Sequence, residues 1–417
     1  MFASLRSHWS RSPVTLRVAA VVWTVLVLGV FGRVLASKPT SQSVMPIYLT
    51  AGERWIAESN LYDPVPNQDV YRNPPAVAAA FATLTPLPPK VASLLWRSLG
   101  IVLFLTGLVR LGRGLASDLT PTRWGIFFLL AAGLVLQAFN NAQVNLVLAA
   151  AILHGTAAAL RERYWEAALW FGLGGWFKVY PLAAGMLVAV VHPWRFGPKL
   201  LTVAILAFLT PFFLAPSEYA AAQYIEYLRE VAAEDRTRAT LYRCSKDWSV
   251  ISRVWFDATV QEGTVLAVDL LVGCLFAVLV GWSALTQIDR RIALSRALVL
   301  GAVWMTAFGP ATEANTYAIL AGPAAWVAVR AAGWARGFAW AGVGLLLATV
   351  FRGLFPQDWQ FQALGPQALG AVLVGVAGLA VQKVEVPLGI VTWGRASGLS
   401  RLTRTGWKPV PTKEGVT

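Results

Sequence analysis

The sequence predicts an all-α polytopic membrane protein. Of the 417 residues, 57% are apolar and only 13% are charged, and the mean hydropathy is +0.57. The apolar residues fall in runs of about 15 to 25, the length that a helix needs to cross a bilayer. Short clusters of Lys and Arg separate these runs, as in the loops of membrane proteins. A soluble fold is excluded because so few charges cannot cover a water-exposed surface.

The basic charge balance and the few cysteines exclude several classes of protein. The formal net charge is +14, but Lys and Arg lie mostly in short loops, which indicates topology determinants and no nucleic-acid partner. Cys244 and Cys274 are the two cysteines and the three histidines are scattered, so neither a disulfide framework nor a metal site is supported. No acidic pair is spaced for a divalent ion, and no metal or cofactor is expected.

The N-terminal segment sets the predicted topology. Arg6, Arg11 and Arg17 precede the first apolar run, which is too long for a signal-peptide core and is interpreted as an uncleaved span with a cytoplasmic N terminus. About twelve spans, within a range of roughly 10 to 13, then place both termini in the cytoplasm of a multi-pass cell-membrane protein. The predicted spans cover residues 16–36, 91–109, 124–139 and 143–160, two short helices within 165–191, residues 200–216, and five more spans between 264 and 382.

The stretch 165–191 is predicted to be a pair of short helices. It is too long for one plain span, and three glycines precede Pro181, which breaks a helix. Splitting the stretch places Lys178 at an outer turn. It also places Arg195 and Lys199 on the cytoplasmic side, where basic residues are enriched.

Two long segments, residues 37–89 and 217–262, are predicted to lie outside the cytoplasm. Four prolines make the first one irregular, and irregular backbone cannot face lipid, so it lies at the membrane surface or lines a wet cavity. The second contains an amphipathic helical stretch, residues 219–241. Residues 1–382 are predicted to form a single membrane domain, and residues 383–417 a weakly ordered basic cytoplasmic tail.

Five polar motifs follow one another on the predicted outer side. The motifs are Tyr62-Asp-Pro64 through Pro75, Pro86-Leu-Pro-Pro89, Gln143-Val-Asn145, Lys178-Val-Tyr-Pro181, and Gly309-Pro-Ala-Thr-Glu313 with Tyr317. In order and spacing they resemble glycosyltransferase family 87, which comprises multispan enzymes of the GT-C fold that use polyprenyl-phosphate mannose. The resemblance covers most of residues 15–350 and implies a GT-C-like helix bundle.

The resemblance implies an inverting transfer of a sugar, mannose or another hexose, on the non-cytoplasmic side. The donor would be a polyprenyl-phosphate sugar, which is a substrate and not a cofactor, and the acceptor a lipid or a glycan. A carboxylate of the first outer loop would act as the base on the acceptor hydroxyl. Because a phosphate leaves without needing a proton, one acid/base residue can suffice, while cations neutralise the leaving charge. The expected partners are thus the donor, the acceptor and membrane lipids.

One departure from the family pattern concerns the catalytic base. The family has an Asp before a Val-Tyr-like pair at the start of the first loop, and the matching stretch here, Ser43-Val-Met-Pro-Ile-Tyr48, lacks it. Asp69 and Glu313 are the predicted substitutes. The alternative for Asp69 is a solvated loop acid paired with Arg72. Glu313 lies at the outer end of a span, where an acid is expensive unless it is partnered. Its alternative role is a structural hydrogen bond to Asn315 or Tyr317.

The remaining candidates are predicted to bind the donor phosphate or the substrate. Lys178 and Arg72 are the cations, although Lys178 could snorkel to the interface and Arg72 could pair with a carboxylate. Polar residues at a hairpin tip could also cap and bridge helices. The other predicted contacts are Tyr71, Tyr180, Asn141, Gln143, Asn145 and Tyr317.

Two other functions compete with the transferase. A transporter or flippase of a lipid-linked substrate usually shows related halves and broken helices that meet at mid-membrane, whereas the polar motifs here collect at one face. A non-catalytic protein that binds a lipid-linked sugar stays open because the expected Asp is missing. The resemblance favours the transferase.

Overall fold

The described part of the chain is helical. The computed structural model describes residues 13–38, 43–115, 118–233, 239–241, 244–286, 289–309, 312–350 and 364–381, which contain helices and no β-strand. They belong to one compact unit. The predicted all-α class is confirmed for these residues, while the predicted basic tail at 383–417 lies outside them.

The helices follow the predicted apolar runs closely. Those up to the second outer segment are α1 Val14–Ala36, α2 Met45–Ile56, α3 Pro75–Ala82, α4 Pro89–Leu115, α5 Pro121–Asn140, α6 Asn145–Ala159, α7 Tyr164–Phe177, α8 Pro181–Val191, α9 Pro193–Leu214 and α10 Ser217–Ala233. The later ones are α11 Trp248–Trp255, α12 Glu262–Thr286, α13 Arg290–Ala307, a 3-10 helix at Ala314–Leu320, α14 Ala321–Arg330, α15 Gly333–Val350 and α16 Pro366–Leu379.

Five of the described helices are long and apolar enough to cross a membrane, namely α1, α4, α5, α9 and α12, and α6, α8 and α16 are shorter apolar helices. A chain with several such helices is a polytopic membrane protein. The total of about twelve spans stays a prediction.

Burial divides the helices into an inner and an outer group. Every residue of α6 is buried, and nearly all of α13 and α14 is buried as well. Ala and Gly are frequent in these three helices, and small side chains let neighbouring backbones approach closely. In contrast, α1, α9 and α12 expose long apolar faces. These faces suit contact with lipid, so α6, α13 and α14 form the core of the bundle.

The predicted split of residues 165–191 is confirmed by helices α7 and α8. Lys178 follows α7 in an extended conformation and Pro181 opens α8. The two helices approach closely at Gly174, where an added Cβ would lie 2.9 Å from the Cβ of Pro181. Glycine is therefore required for the tight turn that carries Lys178.

The two outer segments contain more helix than the sequence indicated. In the first, α2 and α3 flank residues 57–74, and the irregular backbone that the prolines predict is limited to this intervening stretch. Proline is tolerated at the first turn of a helix, which is why Pro75 starts α3. In the second, α10 begins near the predicted amphipathic stretch and ends at Ala233. Residues 234–238 lie outside the described part. The predicted helix end at residue 241 is too far along the chain, because residues 239–241 are not helical.

Candidate functional site

The turn between α7 and α8 carries the basic residue of the candidate site. The backbone N–H of Lys178 donates to the carbonyl of Gly174 at 3.0 Å, which ends α7. The side chain of Lys178 is half-buried, and its Nζ lies 5.6 Å from the centre of the Tyr180 ring. An ammonium group thereby lies beside a phenol ring at the end of a helix.

Tyr180 links this lysine to the start of α6. Its hydroxyl donates a hydrogen bond to Asn145 Oδ1 at 3.3 Å, while its ring faces the Lys178 ammonium. Asn145 is the first residue of α6 and is fully buried. Its amide Nδ2 has no hydrogen-bond partner among the described residues. A buried donor without an acceptor is costly, and a ligand oxygen would satisfy it.

Tyr48 and Glu313 complete the electrostatics of the cluster. Burial by itself lowers the pKa of Lys178, but its electrostatic interactions with Tyr180, Glu313 and Tyr48 outweigh this effect, so the pKa of Lys178 lies above its usual range. Burial raises the pKa of Tyr48 to about 12. At neutral pH the site therefore combines a stable ammonium with neutral phenols.

Glu313 is held at the N terminus of the 3-10 helix. Its backbone N–H donates to Thr316 Oγ1 at 3.3 Å, and its carbonyl accepts from the Thr316 N–H at 2.9 Å. The second outer segment ties down this turn, because the Lys246 N–H donates to the carbonyl of Thr312 at 2.8 Å. The Glu313 side chain is half-buried and acts electrostatically on Lys178.

The predicted residues of the first outer loop are arranged differently. Asp69 is 65% exposed at its side chain and forms an ion pair of 3.0 Å with Arg72. Its other oxygen accepts from the N–H of Val70 at 2.9 Å. Tyr71 is buried against Tyr62, with ring centres 5.6 Å apart, and donates its hydroxyl to the carbonyl of Pro74, which is a structural contact.

The three other predicted contacts make mainly structural bonds. The Asn141 carbonyl accepts from the Val44 N–H at 3.1 Å and ties the start of the first loop to the hairpin tip. Gln143 is buried within that tip. Tyr317 is buried, and its hydroxyl donates to the Lys246 carbonyl at 2.6 Å. The structure thus brings Lys178, Tyr180, Asn145 and Glu313 together. Tyr317 has a structural role, because its hydroxyl bonds the 3-10 helix to the second outer segment.

Sequence reasoning missed Arg97. This residue lies on α4 and is 2% exposed. Its guanidinium donates to the carbonyls of Phe139 and Asn140 at 3.1 and 2.7 Å and to Ser43 Oγ at 3.3 Å. Arg97 thus holds the first residue of the stretch in which the family Asp is absent. The sequence does contain a signal for Arg97, since a charged residue inside an apolar span is a functional candidate by default.

A second buried polar group was also missed. Asp247 is buried at the N-cap of α11, where Oδ1 accepts from the Ser249 N–H at 2.9 Å. Burial raises the pKa of Asp247, while its hydrogen bonds with Ser249 oppose the shift. Asp269 of α12 accepts from Trp248 Nε1 at 2.9 Å. These acids bind the first turn of α11. Among the described residues, no group of three or more metal-ligating side chains occurs.

The cluster around Lys178 can hold an anion. The N termini of α6 and α8 carry Asn145 and Pro181, and helix N termini attract negative charge. An ammonium, a phenol and a buried amide donor surround the same place. A phosphate bound there would lie near the Glu313 carboxylate, which is a suitable base for a hydroxyl group.

The fold is that of a polytopic helical membrane protein, and the ionisable side chains of the cluster lie at helix ends. The sequence model of glycosyltransferase family 87 matches residues 71–310, which is more than half of the chain. The chain therefore belongs to glycosyltransferase family 87, as its motifs predicted. The matched region contains Asn145, Lys178 and Tyr180, begins after Asp69 and ends before Glu313. No individual curated protein matches the chain.

Proposed function

We propose that this membrane glycosyltransferase transfers mannose or another hexose from a polyprenyl-phosphate donor to a lipid or glycan acceptor on the non-cytoplasmic side. The observation that carries the proposal is the cluster of Lys178, Tyr180 and Asn145 beside Glu313. Its cation and hydroxyl suit a phosphate, and its carboxylate suits an acceptor hydroxyl. The family supplies the reaction class, and the cluster supplies the chemistry that a phosphate leaving group needs.

The donor phosphate is assigned to Lys178 and its neighbours. When the sugar is transferred, negative charge develops on the leaving phosphate, and donors that are already oriented stabilise this charge most effectively. The Tyr180 ring lies beside the Lys178 ammonium, and Asn145 supplies the amide donor that lacks a protein acceptor among the described residues. Arg72 stays a second candidate for the phosphate, but its ion pair with Asp69 engages it within the first loop.

The base is assigned to Glu313 in preference to Asp69. A general base must lie within hydrogen-bond reach of the hydroxyl that it deprotonates, close to the bond being broken. Glu313 is half-buried and acts electrostatically on Lys178, whereas the Asp69 side chain is mostly exposed and paired with Arg72. Water around Asp69 would also weaken its electrostatic effect on a transition state.

The proposed side of the membrane follows from charge. Clusters of Arg lie in the loops on the opposite side of the predicted spans from the Lys178 turn, and the cytoplasmic side carries the excess of basic loop residues. Labelling of single cysteines placed at exposed loop positions with a membrane-impermeant reagent measures this orientation. Reaction of a cysteine at Asp69 from outside intact cells supports the proposed side, and reaction only after lysis contradicts it.

Membranes that contain the protein test the activity directly. They are incubated with radiolabelled polyprenyl-phosphate mannose or glucose, and consumption of the label is measured. Glu313→Gln should stop the transfer, while Asp69→Asn should retain most of it. Loss of activity only in Asp69→Asn would move the base to the first loop, and normal turnover in both variants would remove the assignment.

A non-catalytic binder is the second candidate. Arg97 donates to Ser43 in the stretch where the family carries its Asp, so this place now holds a structural contact. Purified protein that binds a polyprenyl-phosphate sugar without releasing the lipid phosphate, in the presence of total membrane lipid as acceptor, would select this function. Release of the lipid phosphate selects the transferase.

A further inference from the structure

Helix α10 of the second outer segment is amphipathic, but its polar and apolar faces are oriented in the opposite way to those of a surface helix in a water-soluble protein. In a water-soluble protein the apolar face of a surface helix packs on the core and the polar face meets solvent. Here the polar face packs on the protein. The Gln223 Oε1 accepts from the Leu61 N–H at 2.9 Å, and the Tyr219 hydroxyl donates to the Ser59 carbonyl at 2.9 Å. The polar side is thus used for contacts with the first loop.

The opposite face of α10 is apolar and exposed. Ile225, Leu228 and Val231 are 51%, 64% and 49% exposed and recur at intervals of three residues. Residues spaced by three or four lie on one side of a helix, so these side chains form a continuous apolar row. We call this row the α10 apolar face. A face of this kind in water would favour aggregation or binding.

The contacts of Tyr224 show at which level α10 lies. Its hydroxyl donates to the Phe208 carbonyl at 2.6 Å, and the two rings lie 4.5 Å apart. Phe208 precedes the end of α9 at Leu214 by six residues, which is about 9 Å along a helix. The centre of α10 is therefore level with the last turns of α9 and does not project beyond them.

Those last turns of α9 belong to the surface that faces lipid. α9 is long and apolar enough to cross the membrane, and most of it is exposed. Phe208 and Phe213 are 55% and 78% exposed near its end. The α10 apolar face therefore continues an existing lipid-facing surface at nearly the same depth, which identifies lipid as the partner that fits it.

We propose that α10 is an in-plane membrane helix whose apolar face, formed by Ile225, Leu228 and Val231, inserts among the phospholipid acyl chains of the leaflet next to the candidate site. Helices of this kind bury their apolar face by about 5 to 10 Å at the boundary between headgroups and acyl chains. The other side of α10 carries Tyr227, which lies within electrostatic range of Lys178 and Tyr180. α10 then separates the acyl chains from the site.

Depth-dependent fluorescence quenching tests this proposal. A bimane label is attached to a single cysteine at position 225 or 228 of the full chain, after Cys244→Ser and Cys274→Ser, and the protein is reconstituted in phosphatidylcholine vesicles. Quenching by dibrominated acyl chains reports contact with lipid, and quenching by iodide reports contact with water. Phe213→Cys on α9 is the lipid-facing control. Arg229→Cys is the matched control on the edge of the same helix, where Arg229 pairs with Glu226.

The expected result is strong quenching by brominated lipid at positions 225 and 228, similar to position 213, with weak quenching by iodide. The label at position 229 should be quenched strongly by iodide and weakly by brominated lipid. Strong iodide quenching at 225 and 228 would overturn the proposal because the face would then lie in water. Protection from both quenchers would also overturn it, since a protein partner or a second copy of the chain would then cover the face.

Discussion

Replacement of Lys178 by methionine is the sharpest test of the candidate site. Methionine keeps much of the length and apolar volume of the side chain but removes the ammonium. The expected loss can be worked out from the position of Lys178. Two unit charges about 4 Å apart attract each other by about 4 kcal/mol at an effective dielectric constant of about 20, which suits a half-buried site.

Partial exposure of Lys178 reduces this figure. A contribution of about 2 to 4 kcal/mol to the transition state corresponds to a rate loss of roughly 30-fold to 1,000-fold. Loss of one preorganised donor at an oxyanion site has a similar effect of about 100-fold to 1,000-fold. Because neighbouring groups raise the pKa of Lys178, its ammonium persists above neutral pH, and the loss should be constant across that range.

The assay is the release of lipid phosphate from a polyprenyl-phosphate sugar at saturating acceptor. Lys178→Met should lower the rate by the stated factor, and Lys178→Arg should retain part of the activity because it keeps the charge. Lys199→Met is the matched control, since Lys199 lies near Trp165 and bonds to the carbonyl of Arg195, outside the cluster. A rate within threefold of wild type for a folded Lys178→Met protein, roughly 0.6 kcal/mol, would refute the phosphate assignment.

Two further predictions concern the scaffold that positions the site, and both are measured as the free energy of unfolding in detergent. Gly174→Ala should destabilise the protein, because the added Cβ would lie 2.9 Å from Pro181 and overpacking costs about 1 to 3 kcal/mol, more than the roughly 0.5 to 1 kcal/mol that alanine gains in a helix. Gly337→Ala, with no atom within 4 Å of its Cβ, should be neutral or stabilising, and equal effects would contradict the argument. Arg97→Met should cost about 1 to 3 kcal/mol because buried carbonyls at the end of α5 lose their donor. Lys90→Met on the same helix, where Lys90 is less buried, should cost less, and a neutral Arg97→Met would remove the anchoring role.

The sequence predicted the elements of the fold better than their assembly. Apolar runs and prolines predicted the position of α1, the α7–α8 turn and the start of α10, because these features depend on local composition and on the lost N–H of proline. The predicted helix end at residue 241 was wrong, because amphipathic spacing alone does not mark where a helix stops and residues 239–241 are not helical. The short helices α2 and α3 were missed because the prolines nearby were read as breakers, although Pro75 opens α3.

The sequence could not predict which polar residues meet. Tyr48, Lys178 and Glu313 are separated from one another by more than a hundred residues, and only the folded chain brings them within electrostatic range. The choice of Asp69 or Glu313 as the base likewise depends on how exposed each side chain is in the folded protein, and a single sequence does not show this. Arg97 was not predicted, because the acceptors that a buried guanidinium requires come from another part of the chain and are not visible in the local sequence.

The proposed position of α10 and the proposed donor constrain each other. If the α10 apolar face lies among acyl chains, Tyr227 and the nearby Lys178 lie close to headgroup depth. A polyprenyl phosphate carries its own phosphate to that depth because its chain partitions into the bilayer, whereas a nucleotide sugar gains nothing from the membrane. Supplying UDP- or GDP-linked sugars in place of the lipid-linked donor should therefore give no transfer by purified protein in vesicles. Efficient transfer from a nucleotide sugar would contradict the lipid-linked donor while leaving the quenching result for α10 untouched.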